Sequence, residues 1–297
     1  MLHLRTIDPV VLPRTDRPLR QAAVFLGITY LLALGIALAL PHAGIAPLIS
    51  IAVPVVAVGL TIAICVPHGQ RRAVWAAAGF GRPAWRALGL AVVGPVVLIG
   101  TSFAVAVAVG VVRFPELGWG LGTATINFLV STAVFGAVFL GEEIGWRGFL
   151  LLRLAEVTSG RRAALVTGAC HAVFHLPLLL LTTTYQSAGN RWIVVPMVMV
   201  SLTMAGVWYG WLRAWSGSIW PVSLSHAGFN NAVDGFSGAA IATSPAAMAY
   251  VTTETGIATM LLVILLAGYL LIRRAADFDN LRPTGVPTAT SPGVSLT

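Results

Sequence analysis

The stretch Gly141-Glu142-Glu143-Ile144-Gly145-Trp146-Arg147-Gly148 puts two acids and an arginine directly after the apolar run "NFLVSTAVFGAVFL" of residues 127–140. Ionisable side chains inside a membrane span are costly, so where they occur they mark candidate function. The rest of the chain decides whether this run is such a span.

It is. The 297 residues are 57% hydrophobic and only 9% charged, against about 25% charged in a soluble domain. Apolar runs of spanning or near-spanning length occur at about 21–40, 46–66, 86–112, 121–141, 163–182, 192–213, 218–236 and 256–272. They predict an all-α polytopic membrane protein of about eight transmembrane helices. The segment from Gln21 to Leu40 is longer than the roughly 7–15 apolar residues of a secretory signal, so it is expected to be retained as the first span.

All 18 basic residues are arginine, and they cluster in alternate connections. Arg5, Arg14, Arg17 and Arg20 precede the first run, Arg71, Arg72, Arg82 and Arg86 follow the second, and Arg147, Arg153, Arg161 and Arg162 follow the fourth. Arg213 follows the sixth, and Arg273 and Arg274 the eighth; the intervening connections hold only Arg113 and Arg191. Positive-inside asymmetry therefore puts both termini in the cytosol and explains the net charge of +8 without a nucleic-acid partner. The all-arginine, alanine- and valine-rich composition fits a bacterial cytoplasmic membrane, with the lipid bilayer as the constant partner.

Organisation follows from the same pattern: a cytosolic segment 1–18, a membrane domain 19–274 with its polar motifs within 120–235, and a Pro/Thr/Ser-rich tail 275–297 expected to be disordered. Residues 68–86 mix arginine with tryptophan and glycine and read as an interfacial amphipathic piece. Trp119, Trp192, Trp211, Trp215 and Trp220 fall near run ends, where an aromatic belt would lie. Cys65 and Cys170 show no pairing pattern and read as buried structural thiols.

Three polar groups interrupt the spans: Glu142, Glu143 and Arg147; His171 and His175; His226 and Asn230. Residues four apart share a helical face, so Glu143 meets Arg147, His171 meets His175, and His226 meets Asn230. His171 lies nine residues past Arg162, Glu142 eleven before Arg153 and His226 thirteen past Arg213. At about 1.5 Å per residue, all three groups sit roughly 15–20 Å in from the basic connections, on what this counting makes the cytosolic side of the core.

Glu143 and Arg147 fit a neutralising pair, which leaves Glu142 without a local partner and available to act on water. A water between Glu142 and His175 is a candidate nucleophile toward a peptide carbonyl, with His226 and Asn230 as candidate oxyanion donors. Alternatively, Glu142, His175 and His226 are candidate ligands of one Zn²⁺, with an open position for water. HExxH is absent, and the sequence leaves both chemistries open. Two non-hydrolytic readings compete: a membrane immunity or scaffold protein binding a peptide in the same cavity, and a proton-coupled transporter using a Glu/His relay. The clustering of the acids near one side, with no matching broken-helix pair, disfavours the transporter.

The succession "EEIGWRGFLLLRL", "FHLP" and "IWPVSLSHAGFN" resembles the CPBP family, the intramembrane CAAX prenyl-endopeptidases and bacteriocin-processing or self-immunity proteins also called Abi. Its pattern is EExxxR, then aromatic-xxx-His, then Hxxx(N/D), on successive membrane helices. The resemblance implies an intramembrane endopeptidase in which Glu142 is the catalytic glutamate, His175 helps activate water, and His226 and Asn230 supply the third motif. Glu143 and Arg147 match the supporting positions of the first motif. It leaves metal dependence and substrate open: a prenylated protein, a bacteriocin leader or another membrane peptide. One position departs: His171 stands where the pattern has an aromatic, and is expected to pack or to support the site from one turn away.

Overall fold

The computed structural model describes residues 17–115, 120–183 and 188–282. All eight apolar runs are helical. In chain order the helices are α1 (Pro18–Ala39), α2 (Ala46–Ser50), α3 (Val53–Cys65), α4 (Arg71–Ala77), α5 (Trp85–Ala108) and α6 (Leu121–Glu143). Helix α6 continues through a π-helical turn, Ile144–Leu150, into α7 (Leu151–Ala155). Then come α8 (Gly160–Leu181), α9 (Arg191–Ser216), α10 (Trp220–Ala239), α11 (Pro245–Val251) and α12 (Ile257–Arg273).

Six of these segments are long and apolar enough to cross a membrane, and a seventh qualifies if α12 is taken with the bent Ala275–Leu281 turn that follows it. The chain is an integral membrane protein. The expected count of about eight falls short at α10, whose twenty residues include His226, Asn230, Asn231 and Asp234 and are too polar to qualify by hydropathy. Helix α10 is still held inside the bundle, packed on α5 and α6, where His226 meets Glu143 and Asn231 donates to Thr132.

The connections sort onto two faces. On one, Thr183 N donates to Pro41 O, Asn190 N donates to the Tyr250 hydroxyl, and the two-residue strands β1 (Val112–Arg113) and β2 (Ile241–Ala242) pair antiparallel. This ties together the connections after α1, α5, α8 and α10. On the other, Ile219 N donates to Gly79 O, Ser218 Oγ to Gly81 O and Trp211 Nε1 to Asp277 Oδ2. The second face carries most of the arginines, and several of them close helix ends there. Arg71 donates to the carbonyls of Ala63 and Val66 at the end of α3, and buried Arg213 donates to Ala77 O at the end of α4.

Two expectations need correction. Ala275–Leu281 is not part of a disordered tail: it forms a 3-10 turn with Phe278 and Leu281 buried against α8 and α9, while 283–297 lie outside the described residues. Nor do Trp211 and Trp215 join an aromatic belt. They stack on each other at 5.3 Å beneath that turn, and Trp211 is buried. Trp192 and Trp220 are exposed as a belt requires, and Trp119 lies outside the described residues.

Glycine sets how closely the helices approach the centre. A Cβ on Gly141 would lie 2.7 Å from Ile51 O, in the break between α2 and α3, and one on Gly145 would lie 2.4 Å from Pro54 Cβ. Gly148 faces Ala78, so the stripe Gly141–Gly145–Gly148 is a close-packing seam for the broken second span and the α4 end. A Cβ on Gly168 of α8 would lie 2.4 Å from Thr203 O of α9, and Gly206 of α9 abuts Gly168 equally closely.

Candidate active site

The three polar groups converge. Arg147 Nη1 donates to both oxygens of Glu143, at 3.0 and 3.1 Å, as the four-residue spacing predicts. His226 Nδ1 lies 2.8 Å from Glu143 Oε1, so Glu143 joins α6 to α10 as well as neutralising Arg147. The guanidinium also sits 4.8 Å from the ring centre of Tyr209, yet its Nε and Nη2 have no hydrogen-bond partner among the described residues.

Glu142 is not left alone. His171 Nε2 lies 2.9 Å from Glu142 Oε2, while His171 Nδ1 lies 3.2 Å from Arg147 Nη1. A guanidinium can only donate, so Nδ1 of His171 accepts and its proton resides on Nε2. His171 therefore donates to Glu142, and Arg147 fixes the tautomer that lets it do so. The sequence placed His171 one turn away from the chemistry; the fold puts it on the carboxylate.

The other two histidines take the opposite tautomer. His175 Nδ1 lies 3.1 Å from the carbonyl of His171, which only accepts, so Nδ1 donates and Nε2 carries the lone pair. His226 Nδ1 donates to the Glu143 carboxylate, so donation through its Nε2 requires the ring to carry a second proton. Asn230 half-faces the cavity with no side-chain hydrogen bond among the described residues, and its amide N–H groups need no such change.

These groups line a cavity of about 290 Å³, whose inner end is formed by Glu142, His171, His175, Tyr209, His226 and Asn230. Aromatic rings hold the histidines in place: Phe139 stacks on His226 at 4.3 Å, Tyr209 stacks on His226 at 5.5 Å, and Trp146 lies 5.0 Å from His171. The sequence reading missed Tyr209 and Phe139. For Tyr209 a signal existed: Gly206 and Gly210, four apart on α9, bracket it and mark the face pressed against Gly168 and Ala164 of α8.

Gly44, Pro47, Leu48 and Glu254 also line the cavity, and these belong to the arginine-poor face. Trp146, Arg147, Phe149, Leu150, Leu151 and Leu152, which follow Glu142 along the chain toward the arginine-rich face, are all buried.

The expected metal set also changes. The potential ligand atoms that lie within 4.8 Å of one another belong to Glu142, His171 and His175, and His226 is outside that group. His171 is a poor ligand here. A metal on Nε2 would move its proton to Nδ1, facing the Arg147 guanidinium, whereas a ligating histidine ordinarily donates its second N–H to an acceptor. Glu142 and His175 retain lone pairs to offer, which is one ligand short of a catalytic zinc set.

Residues 122–232 match the family model described as type II CAAX prenyl endopeptidase Rce1-like, a stretch that contains every residue named at the inner end of the cavity. The resemblance to the CPBP proteases is borne out over that stretch. Among curated proteins no match was found.

Proposed function

Taking the Rce1-like domain as premise, we propose that the protein is an intramembrane endopeptidase in which Glu142 and His175 activate one water and Asn230, aided by His226, receives the oxyanion. The observation that carries this reading is the closeness of these two side chains. A Glu142 carboxylate oxygen and a His175 ring nitrogen lie within 4.8 Å, a span that one water bridges with two hydrogen bonds of about 2.8 Å each.

The steps balance on these residues. Glu142 takes a proton as the water oxygen attacks the peptide carbonyl, while His175 Nε2 accepts the water's other hydrogen bond and orients it. The carbonyl oxygen becomes an oxyanion against the Asn230 amide, while the Glu143 carboxylate accepts from His226 Nδ1 and fixes that ring at the cavity wall. Collapse breaks the C–N bond, and the proton held on Glu142 passes to the amine that leaves. His171 holds the Glu142 carboxylate throughout, and Glu143 and Arg147 hold His226 and His171.

No step needs a metal, and the mismatch at His171 supports a metal-independent route. We place the protein in a bacterial cytoplasmic membrane with both termini inside, as its arginines argue. The deciding experiment compares the peptides of membranes expressing the native protein or Glu142→Gln. Products present only with the native protein are expected; full cleavage of the same substrate by purified Glu142→Gln would overturn the proposal.

A further inference from the structure

We infer that the catalytic cavity is entered from the extracytosolic face, so that its substrate is a polypeptide presented outside the membrane or in its outer leaflet. Two independent observations meet here. The first is the exposure of the lining: Gly44 and Leu48 are exposed and Pro47 and Glu254 partly so, whereas Glu142, His171, His226 and the residues of 146–152 that follow Glu142 are buried. Hydrogen bonds between Thr183 and Pro41 and between Asn190 and Tyr250, with the β1–β2 pair, assign Gly44 and Glu254 to one and the same face.

The second observation is charge. That face holds Arg113 and Arg191 among its described residues, and Arg191 is turned inward to donate to the carbonyls of Leu180 and Thr182 at the end of α8. The opposite face holds Arg71, Arg72, Arg82 and Arg86 in one connection alone, joined by Arg161, Arg162, Arg273 and Arg274. Arginine left in short connections stays in the cytosol, so the arginine-poor face with the cavity mouth lies outside. The mouth is also apolar at its edge: Leu48 is 51% and Ile45 54% exposed, which suits a segment arriving from the lipid as well as from solvent.

The direction of entry stands on geometry and charge, and only the word substrate rests on the hydrolytic reading above. The experiment therefore reads accessibility rather than cleavage. In a background lacking native thiols, Cys65→Ala with Cys170→Ala, single cysteines are placed at the mouth (Gly44→Cys) and on the arginine-rich face (Arg72→Cys). Gly44 tolerates a side chain, since an added Cβ would meet no atom within 4 Å, and Leu48→Cys serves as a second mouth reporter. Intact cells and permeabilised cells are treated with a charged, membrane-impermeant maleimide.

The expected result is labelling of Gly44→Cys and Leu48→Cys in intact cells, with Arg72→Cys labelled only after permeabilisation. The reverse pattern overturns the inference by inverting the topology, and mouth cysteines that stay unreactive even after permeabilisation overturn it by showing that the mouth is closed. Neither outcome depends on whether Glu142 cleaves anything, so a failure of the hydrolytic reading is seen separately in the Glu142→Gln comparison.

Discussion

His171 Nε2 stands 2.9 Å from Glu142 Oε2, and the proton between them is placed there by Arg147 on the far side of the ring. One donor thus sets the orientation of the group that has to take a proton from water. The same Arg147 nitrogen reaches Glu143, so the first and second motifs are wired together through a single guanidinium.

Removing that donor is expected to slow turnover more than it weakens binding. Hydrogen bonds to charged groups contribute about 1.5–3 kcal/mol, so His171→Phe should lower kcat by about 10–100-fold while leaving KM near its native value. His171→Gln, which keeps an N–H donor, should recover part of the loss. Steady-state kinetics on both variants decides it: equal kcat in His171→Phe and native protein removes His171 from the mechanism.

Loss of the base has a larger effect. General-base contributions of about 10²–10⁴ set the expected drop for Glu142→Gln, with an unchanged melting temperature marking the defect as chemical. His175→Ala should fall in the same range, and the double variant should lose little more than either single one, because both act on one water.

A chelator should leave the activity of the purified protein intact. Glu142 and His175 offer two lone pairs where zinc takes three protein ligands, and His171 presents its proton to the site. Activity abolished by chelation and restored by added zinc would show that His171 or His226 reorients to complete a metal site.

Arg147 is fully buried, so breaking its pair should cost stability before it costs activity. Arg147→Leu is expected to destabilise by about 3–5 kcal/mol because it strands the Glu143 carboxylate. Combining it with Glu143→Leu should return part of that loss, although His226 then loses its acceptor too. Thermal unfolding in detergent of the two single variants and the double variant measures the coupling; simple additivity argues against a structural ion pair.

The glycine seam gives a test of packing alone. Gly145→Val forces a side chain against Pro54 and Phe25 and should cost about 1–3 kcal/mol, whereas Gly44→Ala, which meets nothing, should be neutral. Comparable melting temperatures for the two would mean that the π turn after α6 is not pressed against α3 at this point.

Much of this architecture is written in local patterns. Each of the eight apolar runs proved helical, and the four-residue spacing gave Glu143 with Arg147. What escaped depends on how separate helices are phased. The contact of His171 with Glu142 joins α8 to α6, and no spacing within either segment announces it. The run at 218–236 is helical as expected, but its polar residues keep it from qualifying as a span by hydropathy, and they are accommodated by the bundle. The burial of 146–152 was likewise invisible, because it is a property of packing rather than of any residue count.

That buried stretch gives the membrane an insulator. A hydrolase in a bilayer needs liquid water at its carboxylate, and a water-filled passage from one side to the other would short-circuit the proton gradient. Here Glu142 and His226 line the cavity, and the buried Trp146, Phe149, Leu150 and Leu151 follow directly after Glu142 along the chain. Under the hydrolytic reading, such close packing would keep the water that the reaction needs from becoming a proton leak.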